Sequence, residues 1–139
     1  MQCLEKVLVF PSYIREIFRM KICDIDLYRK APVINDMDDW YRTKRLKVPE
    51  EYVKGSVIDI QTNIFTLGAL VFEFFGNFSA SEIEKWYVQN RFLPCAYKDW
   101  QLNEESYNVA LNAVSASRNE HYKTFGEFYS KWKNAISLL

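Results

Sequence analysis

The longest apolar stretch of the chain runs from Val57 to Phe75, and its spacing is that of a helix. Its apolar side chains fall on nearly every face at helical periodicity, a pattern typical of a helix buried at the centre of a domain. Gly76 and Asn77 follow directly and provide the break expected at a helix end. Polar residues interrupt the stretch, and it is shorter than the roughly 20 apolar residues that cross a bilayer, so we expect no membrane span.

Three amphipathic helices are predicted after this central one. Ser79 and Glu82 have the spacing of a capping box and open a helix that runs towards residue 91. Asn103 can cap the next helix, and Thr124 with Glu127 forms a second capping box ahead of the last. Their apolar stripes consist of Ile83, Trp86 and Tyr87; of Tyr107, Ala110, Leu111 and Val114; and of Phe125, Phe128, Trp132, Ala135 and Ile136.

The first third of the chain predicts less regular structure. Residues 7–10 are β-branched and aromatic up to Pro11, and residues 19–23 form a second extended candidate, so we expect a short β-hairpin or two short strands. Residues 26–47 show no apolar period and predict an irregular loop. Pro49 suits the first position of a short helix that Gly55 ends. The predicted fold is therefore mainly α, with short strands near the N-terminus.

Composition narrows the range of functions. A chain of 139 residues is the size of one domain. Its 18 basic and 18 acidic residues balance, so no basic field for nucleic acid is expected. The three cysteines are widely spaced and odd in number, which disfavours a disulfide framework and favours a reducing, cytoplasmic setting. His121 is the only histidine, so no histidine metal site or histidine-based triad is predicted.

Three short motifs in order along the chain resemble a known family. Val48-Pro49-Glu50 resembles the Ala-Pro-Glu motif of protein kinases, and Thr66-Leu67-Gly68-Ala69 resembles the buried helix that follows it. Upstream, Asp24-Ile25-Asp26 resembles the Asp-Phe-Gly turn. The chain is therefore similar to the C-terminal (large) lobe of bacterial-type serine/threonine protein kinases or pseudokinases. On this resemblance residues 1–139 form one kinase-like domain, in which 1–19 match poorly, 24–50 correspond to the activation segment and 50–139 are helical.

Two positions in the activation-segment-like region inherit functional roles from the resemblance. Asp24 corresponds to the carboxylate that binds magnesium, an ion that prefers hard oxygen ligands. Thr43 corresponds to the threonine that contacts the protein substrate. Asp26 stands where the family has glycine, and Arg42 also replaces a family glycine. Asp26 removes the flexibility that glycine gives this turn, which disfavours catalysis by this chain, whereas Arg42 weakens the match around Thr43.

Three further positions carry structural roles in the family. Glu50 corresponds to a glutamate that pairs with an arginine shortly before the last helix, and the surrounding frame places His121 at the pairing position rather than Arg118. The resemblance therefore implies a Glu50–His121 pair. Asn63 stands where the family has an aspartate that anchors the catalytic loop, and an amide would be a weaker anchor.

The resemblance implies a kinase-like activity that this chain is not expected to carry out by itself. A complete domain would bind ATP and Mg²⁺ and transfer phosphate to serine or threonine, but no Gly-rich loop or His-Arg-Asp loop occurs in these residues. We therefore expect a truncated or pseudokinase-like lobe that needs no cofactor alone. Its partner would be the missing N-terminal half, another protein or a second copy of the chain. The alternative is a non-catalytic helical interaction module; a small-molecule phosphotransferase remnant is disfavoured by Val48-Pro49-Glu50.

Overall fold

The computed structural model describes the backbone of residues 6–12 and 17–23, and residues 30, 32–37 and 47–138 in full. Four α-helices dominate this part of the chain: α1 (Ile60–Phe75), α2 (Ala80–Gln89), α3 (Glu104–Ala113) and α4 (Phe125–Ile136). Strands β1 (Lys6–Ser12) and β2 (Ile17–Cys23) pair as an antiparallel hairpin. The predicted mainly-α fold with a hairpin near the N-terminus is confirmed.

The hairpin is longer than the sequence predicted. The pairing continues past Pro11, which lies opposite Phe18, and ends with Ser12 opposite Ile17. An edge position tolerates proline because its nitrogen need not donate to the ladder. Pro11 therefore does not stop the strand.

Helix α1 forms the centre of the domain, as its apolar pattern predicted. Phe65 and Phe72 are both buried on α1, and their rings meet Phe92 and Trp100 from the chain that follows α2. The centroids of Phe72 and Trp100 are 4.9 Å apart, within the range of favourable aromatic pairs. Aromatic side chains of α1 and of the segments after it therefore form much of this core.

A glycine lets α3 approach α1 closely. A Cβ atom built on Gly68 would lie 2.7 Å from the Cβ of Ala113 and 2.9 Å from a methyl of Val114. No larger residue fits there without moving one helix. Gly68 therefore sets the separation of α1 and α3, and through α3 the position of the loop that precedes α4.

The start of α1 differs from the prediction, which placed it at Val57. Val57 and Ile58 instead form strand β4, paired antiparallel with β3 (Val33–Ile34). Asp59 then caps the helix, and its carboxylate accepts from the backbone N–H groups of Gln61 and Thr62. The run 57–75 is thus one strand and one helix that share an apolar composition.

Asn35 joins this short β-ribbon to the following turn. The turn is a 3-10 helix, Pro49–Tyr52. The buried side-chain amide of Asn35 donates to the carbonyl oxygens of Glu51 at 3.2 Å and Val53 at 3.1 Å. Its side-chain oxygen accepts from the Met37 N–H at 3.0 Å. All of its hydrogen-bonding groups are therefore used inside the protein.

Among the residues that the structure describes, no helix is both long enough and apolar enough to cross a lipid bilayer.

Candidate functional site

The 3-10 turn is fixed from the inside by buried polar residues. Glu51 is completely buried, and its carboxylate accepts from the backbone N–H of Val48 at 3.0 Å. The buried ammonium of Lys47 lies 4.9 Å from the ring centroid of Tyr52, a cation–π distance. Charged side chains are rarely buried without such partners. The turn therefore presents Glu50 in one defined direction.

Arg118 joins this turn to the start of α1. One guanidinium nitrogen donates to a carboxylate oxygen of Glu50, and the other donates to Asp59 at 2.6 Å. The Thr62 hydroxyl donates to the same Glu50 oxygen at 3.3 Å. The backbone carbonyl of Arg118 in turn accepts from the side chain of Gln61 at 3.0 Å. We call the ion pairs of Arg118 with Glu50 and Asp59 the arginine clamp.

The clamp lies in a partly dehydrated position. The side chain of Arg118 is 34% exposed and that of Glu50 only 13%. Burial favours the neutral form of Arg118, but the carboxylates of Asp59 and Glu50 outweigh it and raise its pKa above the ordinary value. The carboxylates of the clamp therefore stabilise the charged form of the guanidinium.

The predicted pair between Glu50 and His121 is wrong. His121 is buried, its Nε2 contacts the backbone carbonyl of Ser115, and its Nδ1 has no hydrogen-bond partner among the described residues. Its ring packs 5.9 Å from that of Phe65 in the core. Glu50 meets Arg118 instead.

A turn before α4 explains why Arg118, and not His121, pairs with Glu50. The His121 N–H donates to the Arg118 carbonyl at 3.3 Å, so the chain reverses direction between the two residues and sends their side chains apart. Arginine is long and carries a planar fork that engages two carboxylates at once, whereas imidazole does neither. Arg118 is the only arginine after Arg91, which is the sequence signal that could have identified it.

Asn63 is held by its own helix. It is fully buried, and its amide donates to the Asp59 carbonyl at 2.7 Å. Its side-chain oxygen is buried and accepts no hydrogen bond from the part of the chain that the structure describes. The anchoring role implied for Asn63 stays a prediction.

Asp24 and Thr43, the predicted metal and substrate-contact residues, lie outside the described residues. Within the described part of the chain, no three His, Cys, Asp or Glu side chains come together in an arrangement that could hold a metal ion. The magnesium role of Asp24 and the substrate contact of Thr43 therefore stay predictions.

A surface cavity of about 630 Å³ lies beside the 3-10 turn. We call it the Pro49 groove. Its walls come from the turn, from the segment after α2 and from α3, and they combine apolar side chains with a few polar ones. They consist of Pro49, Phe65, Arg91, Phe92, Leu93, Pro94, Asn108, Leu111, Asn112, Val114, Ser115, Ala116 and Glu120.

Comparisons of the chain with protein-family models, with curated proteins and with solved structures found no match.

Proposed function

We propose that these residues form the protein-binding, C-terminal part of a serine/threonine-kinase-like domain and do not transfer phosphate by themselves. The arginine clamp carries the proposal. In the family that the motifs resemble, the glutamate of the Pro-Glu turn pairs with an arginine located shortly before the last helix. The ion pair of Glu50 with Arg118 is similar to that pair, although Arg118 lies three residues before the position at which the family frame places the arginine.

The order of elements supports the same proposal. A Pro-Glu turn is followed by a buried central helix and then by three helices, of which α3 packs against both α1 and α4. The clamp ties the turn to both ends of this arrangement, because Asp59 begins α1 and Arg118 precedes α4. A turn held in this way is a rigid platform for a partner polypeptide.

The sequence motifs present in the chain indicate protein binding rather than nucleotide binding. Phosphoryl transfer of this kind needs a loop and a lysine that grip the nucleotide phosphates, together with a catalytic aspartate loop. These 139 residues contain no sequence resembling them. We therefore assign no nucleotide binding to these residues and assign them the non-catalytic binding of protein.

Calorimetric titration with Mg²⁺ and ATP tests the proposal. We expect no saturable binding at micromolar concentration, because a single carboxylate such as Asp24 cannot hold a magnesium–nucleotide complex alone. The Asp24→Ala variant is the matched control and should give the same trace. Saturable micromolar binding that Asp24→Ala abolishes would contradict the proposal.

A further inference from the structure

Arg91 is the unusual residue of the Pro49 groove. Most of its surface is covered, yet its guanidinium makes no hydrogen bond or ion pair with any residue that the structure describes. The guanidinium of Arg91 is thus not engaged by the described part of the chain, and an arginine fork is well suited to pair with a carboxylate. A carboxylate supplied by another molecule would complement it.

The wall beside Arg91 is apolar and firmly packed. Phe92 is buried, and its ring lies 4.7 Å from that of Trp86 and 5.7 Å from that of Phe72. Leu93 and Pro94 continue this wall, and Leu111 on α3 faces the same cavity with about a third of its surface exposed. A wall fixed by the core is preorganised, so an apolar side chain can bind it without the cost of reordering.

Polar groups elsewhere in the groove suit a peptide backbone. Asn108 is exposed, and its side chain makes no hydrogen bond to any other described residue, so its amide offers both a donor and an acceptor. Glu120 is the groove's acidic residue, and its carboxylate accepts from the Ser115 hydroxyl. Arg91 is thus the charged residue of the groove without a partner among the described residues, and it lies next to an apolar surface.

We propose that the Pro49 groove binds an extended segment of a partner protein in which an apolar side chain neighbours an aspartate or glutamate. The carboxylate pairs with Arg91, the apolar side chain lies against Leu93 and Leu111, and the amide of Asn108 bonds the segment's backbone. This inference rests on the proposed function and names its partner class. The Mg²⁺–ATP titration tests the proposed function and the peptide experiments test this inference, so a negative result in one does not decide the other.

Selection of a displayed library of random 12-residue peptides on the full chain tests the inference. We expect enriched peptides to carry an acidic residue within two positions of a leucine, phenylalanine or similar side chain. A synthetic, fluorescent copy of the best peptide should bind the Arg91→Gln variant at least tenfold more weakly. It should bind the matched Lys131→Gln variant, which removes an exposed charge on α4, within twofold of the parent.

A charge exchange distinguishes direct pairing from a change in folding. The Arg91→Glu variant should lose the acidic peptide and gain affinity for the same peptide with lysine in place of its acid. The inference is overturned if no peptide is enriched, or if enriched peptides bind Arg91→Gln and the parent equally. It is also overturned if sedimentation shows a dimer that Arg91→Glu dissociates, since the groove would then hold a second copy of the chain.

Discussion

At the scale of single residues, the direction of the turn between Arg118 and His121 decides which of the two basic groups reaches Glu50. Arg118 spans from the loop before α4 to two carboxylates, one on the 3-10 turn and one at the start of α1. His121 lies three residues further on, and its ring is taken into the core beside Phe65. Sequence position alone cannot separate these outcomes, because both depend on the direction of the intervening turn.

Substitution of Asn35 should remove several hydrogen bonds of the 3-10 turn at once. We expect Asn35→Ala to lower the free energy of unfolding by about 2 kcal/mol, because it leaves the carbonyl of the buried Glu51 and that of Val53 without their donor. Urea unfolding measures the change. The exposed Asn119→Ala substitution is the control and should stay within about 0.5 kcal/mol of the parent. Equal effects at the two sites would contradict this account of the turn.

At the scale of elements, helix caps were predicted well from the sequence. Ser79 and Asn103 accept from backbone N–H groups three residues later, as their spacing indicated. Thr124 also caps its helix, but Glu127 reaches back to the Lys123 N–H rather than to that of Thr124. Caps are local, so a few neighbouring residue types are enough to determine them.

The capping box of α2 gives a pH-dependent prediction. The Ser79 hydroxyl and then its backbone N–H lower the pKa of Glu82 below its ordinary value of 4.5, with smaller contributions from nearby lysines. The stabilisation is therefore present above the unfolded pKa and is lost as the pH falls through the lowered folded value. An NMR titration should show the pKa of Glu82 rising in Ser79→Ala and unchanged in the distant Ser137→Ala. An unchanged pKa in Ser79→Ala would contradict the assigned hydrogen bonds.

The contact between α1 and α3 gives a prediction with an internal control. Gly68→Ala should destabilise the protein by about 1–3 kcal/mol, because its methyl would overlap Ala113 and Val114. Gly126→Ala on α4 meets only Thr124, at 3.9 Å. It should stabilise the protein by up to about 1 kcal/mol through helix propensity. Thermal unfolding of both variants provides the comparison, and stabilisation by Gly68→Ala would contradict the close packing.

At the scale of the whole molecule, the sequence predicted the mainly helical architecture but not the pairing at the site. The buried character of α1 follows from its composition, whereas the strand at Val57 and the partner of Glu50 depend on residues distant in sequence. Val57 and Ile58 are β-branched residues that favour strands, and they pair with Ile34 and Val33. The apolar run continues from this strand into α1, so the pattern of apolar positions alone did not show the boundary between them.

The clamp is what joins the turn, the central helix and the last loop into one unit. Without it, Glu50 and Asp59 would lie close together as unpaired carboxylates at the start of α1. Removing either partner of a partly buried pair is costly, but only the coupling between the two substitutions isolates the pair itself. The proposed function is inferred from the arginine clamp, so it depends on a measurable coupling free energy between Glu50 and Arg118.

The most direct test is a double-mutant cycle on Glu50 and Arg118, run by urea unfolding beside a second cycle on Glu50 and His121. With glutamine at each position, we predict a coupling of about 1 kcal/mol between Glu50 and Arg118, discounted for the exposure of the arginine and weakened by 1 M salt. The Glu50–His121 cycle should give no coupling. Zero coupling in the first cycle, or coupling that appears in the second instead, would contradict the arginine clamp and the kinase-like arrangement inferred from it.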